Sequence, residues 1–231
     1  MFKTETIAKY IKAISEAINA SKKNIDNLHV CISKGNQKIG KTMNVSLAPI
    51  RTCGGNCRVC KCICYDIKAC MQYGNVMNAR ARNTALQEID RDRYFAEIDQ
   101  AMKRRRANKF LRWHVGGDIV DYDYFCRMVE NAKNNPDFIV WTYTKQYHIV
   151  NQYVKEHGGS IAEAIPSNIS IMFSVWKGLH CDNPYGFSTF TCVLKGEVWP
   201  HKTYHCTGNC QACIDSGHGC PHQESSAVAE H

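Results

Sequence analysis

The segment "KFLRWHVGGD" at 109–118 decides how the chain is read. Leu111, Trp113 and Val115 alternate with Arg112, His114 and Gly116, which is the period of a strand with one apolar face. A diglycine and an aspartate then end it. Three more stretches behave alike. "MNVSLAP" at 43–49 sets Met43, Val45 and Leu47 against Asn44 and Ser46 and stops at a proline. "DFIVWTYT" at 137–144 reads as a strand, and "NISIMFSVW" at 168–176 sets Ile171, Phe173 and Val175 against Ser170 and Ser174.

Helical patterns lie between these strands. Residues 4–20 carry Ile7, Tyr10, Ile11, Ile14 and Ile18 at steps of three and four. Residues 75–108 hold one long helix or two consecutive ones, with Leu86, Ile89, Phe95, Ile98 and Met102 as the buried stripe. Residues 121–136 form a helix stopped by Pro136, and residues 146–159 form one closed by glycines. A helix followed by four alternating strands and helices predicts a parallel sheet with right-handed crossovers.

A central strand of a doubly wound sheet is apolar on both faces, whereas each strand here keeps one polar face. The fold expectation is therefore α/β: a partial (β/α) barrel with an N-terminal helix and a C-terminal cysteine-rich module. The boundaries are 1–30 for the N-terminal helical segment and 31–200 for the barrel domain, with a cluster loop at 53–70. Residues 201–231 make the cysteine-rich module and a tail, whose last residues, "QESSAVAEH", read as disordered. A chain of 231 residues with 44% apolar side chains is long enough for such a core.

No stretch approaches the ~20 apolar residues of a membrane span. The first 24 residues mix Lys and Glu with Ile and Ala and lack the uninterrupted apolar run of a signal peptide. The expectation is a cytoplasmic protein with no membrane partner. The formal charge of +8 suits a nucleotide, nucleic-acid or phosphorylated partner. Its densest run, "KRRR" at 103–106, falls at a helix end, where cations also suit the dipole.

Fourteen cysteines are far more than such a chain needs for packing, and in a reducing cytosol they are not expected to pair as disulfides. Ten fall in two bunches: Cys53, Cys57, Cys60, Cys62, Cys64 and Cys70, then Cys206, Cys210, Cys213 and Cys220. Both begin alike, "CGGNCRVC" at 53–60 and "CTGNCQAC" at 206–213. Thiolates at gaps of two and three residues are what zinc and iron–sulfur clusters require. The first bunch follows the first strand, and parallel α/β folds build sites at the C-terminal ends of their strands. The second holds a complete set of four, fit for an auxiliary 4Fe–4S cluster or for structural zinc. On the polar strand face, Arg112 and His114 are the candidate catalytic pair, able to hold a carboxylate or to move a proton.

Cys53, Cys57 and Cys60, spaced C-x3-C-x2-C after the first strand, resemble the motif of the radical S-adenosylmethionine enzymes. In that superfamily three cysteines hold a 4Fe–4S cluster and leave one iron open for S-adenosylmethionine. Gly116, Gly117 and Asp118 stand where the superfamily has a Gly-Gly-Glu-like motif for the methionine amino group, with Asp in place of Glu. The resemblance implies that the strand-end rim, Thr142, Ser174 and Trp176, contacts the nucleoside.

From about residue 34 to 220 the chain looks like the phage "gene product 88" family. The likeness runs through "GNQKIGKTMNVSLAPIRTC", "GGD", "YTK" and S-x-W-x-G, and the family's cysteine pattern falls on Cys53, Cys60 and Cys64. Cys53 and Cys60 belong to both patterns, and the third ligand is Cys57 or Cys64. The implied function is an iron–sulfur enzyme of a phage or mobile element. It would reductively cleave S-adenosylmethionine and start radical chemistry on a small-molecule or nucleotide substrate, fed by a flavodoxin- or ferredoxin-like donor. The alternatives are a zinc-stabilised nucleic-acid-binding protein and a two-cluster redox protein without S-adenosylmethionine.

Overall fold

The computed structural model describes residues 2–54 and 58–229. Its elements run α1 (Thr4–Lys22), β1 (Met43–Val45), α2 (Arg58–Cys62), α3 (Tyr65–Gln72), α4 (Gly74–Ile89), α5 (Arg91–Arg104), β2 (Phe110–Trp113), α6 (Tyr122–Asn134) and β3 (Ile139–Thr144). There follow α7 (Tyr147–Glu156), α8 (Ile161–Ala164), β4 (Ile169–Val175), β5 (Thr189–Val193), β6 (Tyr204–His205), α9 (Cys210–Ser216) and β7 (Ser226–Ala229).

The seven strands form one sheet in the order β1-β2-β3-β4-β5-β7-β6, and every neighbouring pair is parallel. The first five strands are neighbours in chain order. Right-handed crossovers that always step the same way put their helices on one face of the sheet. That face carries the main core, with Leu111, Trp113, Val140 and Phe173 from the strands against Tyr10, Leu86, Ile98, Phe125 and Val150 from the helices. The sheet is open, with β1 and β6 as its edges, and among the described strands no pairing closes it into a barrel.

Local chemistry sets the helix limits. The stretch at 75–108 divides in two because Asp90 leaves helical geometry and caps α5, its carboxylate accepting Arg93 N–H at 3.0 Å. Asp121 caps α6 in the same way through Tyr124 N–H at 2.9 Å. On α1, Tyr10, Ile14 and Ile18 are buried, whereas Ile11 is exposed. Asn83 of α4 clips two segments together, donating to Cys31 O and Ser46 O and accepting from Cys31 N–H.

The tail departs from expectation. Residues 226–229 are not disordered: they form β7, inserted between β5 and β6, with Ser226 and Ala227 fully buried. An interior strand of small residues has little hydrophobic pattern to read. The opposite face of the sheet, bearing Trp141 and Met172, is covered by the C-terminal segment through Cys220, Cys210 and Ile214. No helix among the described residues is long and apolar enough to cross a membrane.

Candidate metal centre

The first cysteine set lies at the C-terminal edge of the sheet. After β1 the chain crosses to the end of β2, where Leu47 N–H donates to Gly116 O at 2.9 Å. The segment is fixed by Thr84 Oγ1, which accepts Ala48 N–H at 2.9 Å, and by the Thr52 hydroxyl, which donates to Ala48 O at 2.9 Å. Cys53 follows, Cys60 lies in α2, and Cys64 is the N-cap residue of α3. Cys57 lies outside the described residues.

Burial raises the Cys53 thiol well above the usual range. The nearby Asp118 charge raises it further, and Lys145 opposes both. Burial pushes Cys64 up to about 11. The N–H groups of Ile67 and Asp66 oppose that rise, although no side-chain cap bond is formed, while the charges of Asp66 and Cys60 add to it. Cys53 also feels the charge of Cys64. Cys53, Cys60 and Cys64 thus lie on one segment that follows β1 and feel one another's charge, and burial outweighs Lys145 and the α3 N–H groups in keeping the Cys53 and Cys64 thiols protonated.

The diglycine has a different reason from the one expected. A Cβ on Gly116 would stand 1.6 Å from Asp66 Oδ2, so the close neighbour that excludes a side chain is Asp66 rather than a ligand. Gly117 takes φ +85°, a left-handed turn that favours glycine. Asp66 is itself held by Arg80 in a two-pronged pair, Nε to Oδ2 at 3.0 Å and Nη2 to Oδ1 at 2.9 Å. Nothing in the sequence pattern pointed to this pair, because its members come from different helices.

Asp118 is 2% exposed. Its Oδ1 accepts the Thr144 hydroxyl at 2.6 Å and Ile119 N–H at 2.8 Å, and its Oδ2 accepts Lys145 N–H at 3.0 Å. Burial raises its pKa despite Lys145 and these bonds. The carboxylate fastens the end of β2 to the end of β3. An incoming ammonium would have to share Oδ2 with Lys145 N–H.

Arg112 and His114 do not share a face. β2 ends at Trp113, and His114 takes φ +57°, which breaks the alternation and turns its ring into the helix-side core. There His114 Nε2 bonds Tyr124 Oη at 3.0 Å, and Tyr124 Oη bonds Tyr94 Oη at 3.0 Å. Burial depresses the His114 pKa to about 3. His114 therefore stays neutral when folded but takes a proton when unfolded below about pH 6.5. The unfolded state binds more protons there, so stability falls with falling pH, by about 2 kcal/mol between pH 7 and pH 5. Urea unfolding at the two pH values checks this, and His114→Gln should flatten that contribution.

Arg112 keeps the expected face. Its guanidinium stacks over the Tyr143 ring at 4.8 Å, and its Nε is enclosed without a hydrogen-bond partner. The rim residues divide. Thr142 pairs in register with Ile171, is fully buried and leaves its hydroxyl unpartnered, which places it in the helix-side core. Ser174 Oγ accepts the Trp176 indole N–H at 2.9 Å, and Lys145 Nζ lies 5.8 Å from the centre of the Trp176 ring. Ser174, Trp176 and Lys145 thus come together at the strand ends. Lys145 links them electrostatically to Cys53 and Asp118.

The second cysteine set covers the other face of the sheet. Cys206 N–H donates to Ala227 O at 2.8 Å, Cys210 N–H to Lys38 O at 2.9 Å, and the Ser170 hydroxyl to Cys220 O at 2.6 Å. Burial raises Cys213 most, helped by the charges of Cys206 and Cys210. Burial likewise pushes Cys220 up to about 11; Ser226 and Tyr143 oppose it, and Cys206 adds to it. Among the described residues, no three His, Cys, Asp or Glu side chains stand ready at ligand geometry in either set. Sites of this kind commonly close only as the metal binds.

Fold and sites together define a parallel α/β protein with two separate thiol sets, one at the C-terminal strand edge and one on a sheet face. The Gene product 88 family model matches residues 9–182, and the chain belongs to that family. No curated protein and no solved structure matches it.

Proposed function

We propose that this chain is an iron–sulfur enzyme that binds S-adenosylmethionine at the C-terminal edge of its sheet, with Cys53, Cys60 and Cys64 as the ligands of the first centre. The observation that supports the reading is the placement of these three cysteines on the segment that follows β1, with Cys60 in α2 and Cys64 as the residue that precedes α3. The donor set suits iron–sulfur binding: three thiols for a four-iron cluster leave one coordination position for a small ligand. When bound, such a cluster supplies one low-potential electron, with which S-adenosylmethionine is cleaved to methionine and a 5′-deoxyadenosyl radical. A flavodoxin- or ferredoxin-like donor supplies that electron.

The chain's own residues bind and orient. Ser174 fixes the Trp176 indole, which presents a flat face at the rim on which a base can stack. Lys145, beside that ring, suits a carboxylate or phosphate. Asp118 holds β2 and β3 at the spacing the rim needs and has Oδ2 to offer an ammonium. The core-bound His114 is left out of proton transfer.

The test is anaerobic reconstitution with iron and sulfide, then dithionite and S-adenosylmethionine, with mass spectrometry of the products. Brown protein that yields 5′-deoxyadenosine is the expected result. Colourless protein holding zinc at both sets would overturn the reading in favour of a zinc-stabilised nucleic-acid-binding protein. Brown protein that leaves S-adenosylmethionine intact would make it a two-cluster redox protein.

A further inference from the structure

We propose that Arg112 is the built-in counter-cation of the second thiol set, and that Cys206, Cys210, Cys213 and Cys220 form a complete, negatively charged four-thiolate metal site against the sheet face. The proposal rests on the metal-centre part of the reading above and not on S-adenosylmethionine chemistry.

The starting point is an anomaly. Arg112 projects from the middle of β2, in register with Asn44 of β1 and Trp141 of β3. No carboxylate pairs with it among the described residues, whereas Arg51, Arg80, Arg91, Arg93 and Arg127 each have one. Its Nε is enclosed and unbonded, and its guanidinium lies over Tyr143. Arg112 is partly buried, and an enclosed guanidinium N–H without an acceptor is normally offset by a nearby anion. Tyr143, over whose ring the Arg112 guanidinium lies, packs in one cluster with Cys210 and Cys220, and negative charge on Tyr65, Tyr143, Cys210 or Cys220 would favour the guanidinium. Phenols do not ionise near neutral pH. Thiols do once a metal takes them.

Four thiolates around zinc, or around a 4Fe–4S core in its 2+ state, carry a net charge of about −2. Arg112 meets that charge directly. The backbone is anchored accordingly, with Cys206 tied to β7, Cys210 to the segment before β1, and Cys220 to β4. Metal loading would then supply the anion that the apo fold lacks. Arg112 is a positioning residue for this site and touches no substrate.

The experiment keeps every cysteine. The full chain is equilibrated at a series of free zinc concentrations set by a chelator buffer and pulsed with an alkylating agent. Protection is then read cysteine by cysteine by mass spectrometry, which separates the two sets. Cys206, Cys210, Cys213 and Cys220 should become protected together. Arg112→Met should shift their midpoint to about 10- to 100-fold higher zinc, the scale of losses for groups that support metal ligands. Arg112→Lys should stay within a few-fold of the parent.

The metal-free Arg112→Met protein should melt roughly 2–4 °C above the parent, because an unpaired cation has been removed. An unchanged midpoint in Arg112→Met overturns the counter-cation role, and a metal-free variant that melts lower identifies Arg112 as a packing residue. Absence of joint protection in the parent overturns the site itself. Formation of 5′-deoxyadenosine by the same parent chain reports on the first centre independently.

Discussion

Arg80→Met is expected to remove about 3–5 kcal/mol of stability, the range for breaking one side of a buried ion pair. Asp66 is 2% exposed and lies against the backbone of Gly116, where not even a methyl group could fit between them. Burial works against the charge on Arg80, and the paired Asp66 carboxylate more than restores it. Methionine would keep much of the arginine's length while leaving that carboxylate enclosed without its two hydrogen bonds.

For a chain of this size the loss corresponds to a melting point lower by roughly 6–20 °C. The double variant Asp66→Leu/Arg80→Met should recover most of it, since an apolar pair is often no less stable than the ion pair it replaces. Thermal unfolding of the two single variants and the double variant decides the matter. A loss under about 1 kcal/mol in Arg80→Met would place the pair with surface salt bridges. The consequence also reaches function, because Asp66 sits two residues from Cys64 and wedges the first cysteine loop against the end of β2.

That pair marks a limit of what the sequence makes legible. Periodicity is a local property, and where local chemistry governs, it reads true. Tyr10, Ile14 and Ile18 of α1 and Phe95, Ile98 and Met102 of α5 all enter the core as their spacing implies. The β2, β3 and β4 strands lie where alternation sets them.

The pattern fails where one residue changes the rule. His114, with positive φ, turns a polar-face residue into a core residue. Gly116 was legible as a site of close approach, but the approaching group comes from a distant helix, so the sequence could only suggest a ligand. The tail strand escaped because burying Ser226 and Ala227 needs no apolar signal. The neighbourhood of Arg112 escaped for a topological reason: strand alternation says which face it occupies, but not that the last cysteines fold back over that face.

Cys64→Ala is expected to bring 5′-deoxyadenosine formation down to background, a loss on the order of a thousand-fold or more, since a cluster lacking one of three thiolates is not retained. Iron should fall by about four atoms per chain, the content of one 4Fe–4S cluster, while the second centre stays loaded. Cys53→Ala should behave identically, because its thiol and that of Cys64 share one neighbourhood.

Cys62→Ala is the control. Cys62 ends α2, whereas Cys64 precedes α3 and meets the N–H dipoles of Ile67 and Asp66, which offset part of the cost of burying its thiol. Removal of Cys62 should therefore leave iron content and cleavage within about two-fold of the parent, because a partly buried thiol outside the ligand set can be truncated at little cost. The same comparison decides between the two cysteine patterns. If Cys57→Ala empties the first centre while Cys64→Ala keeps full iron and activity, the ligands are Cys53, Cys57 and Cys60. Cys64 would then be an ordinary partly buried cysteine, and the placement of Cys53, Cys60 and Cys64 at the strand edge would reflect packing alone.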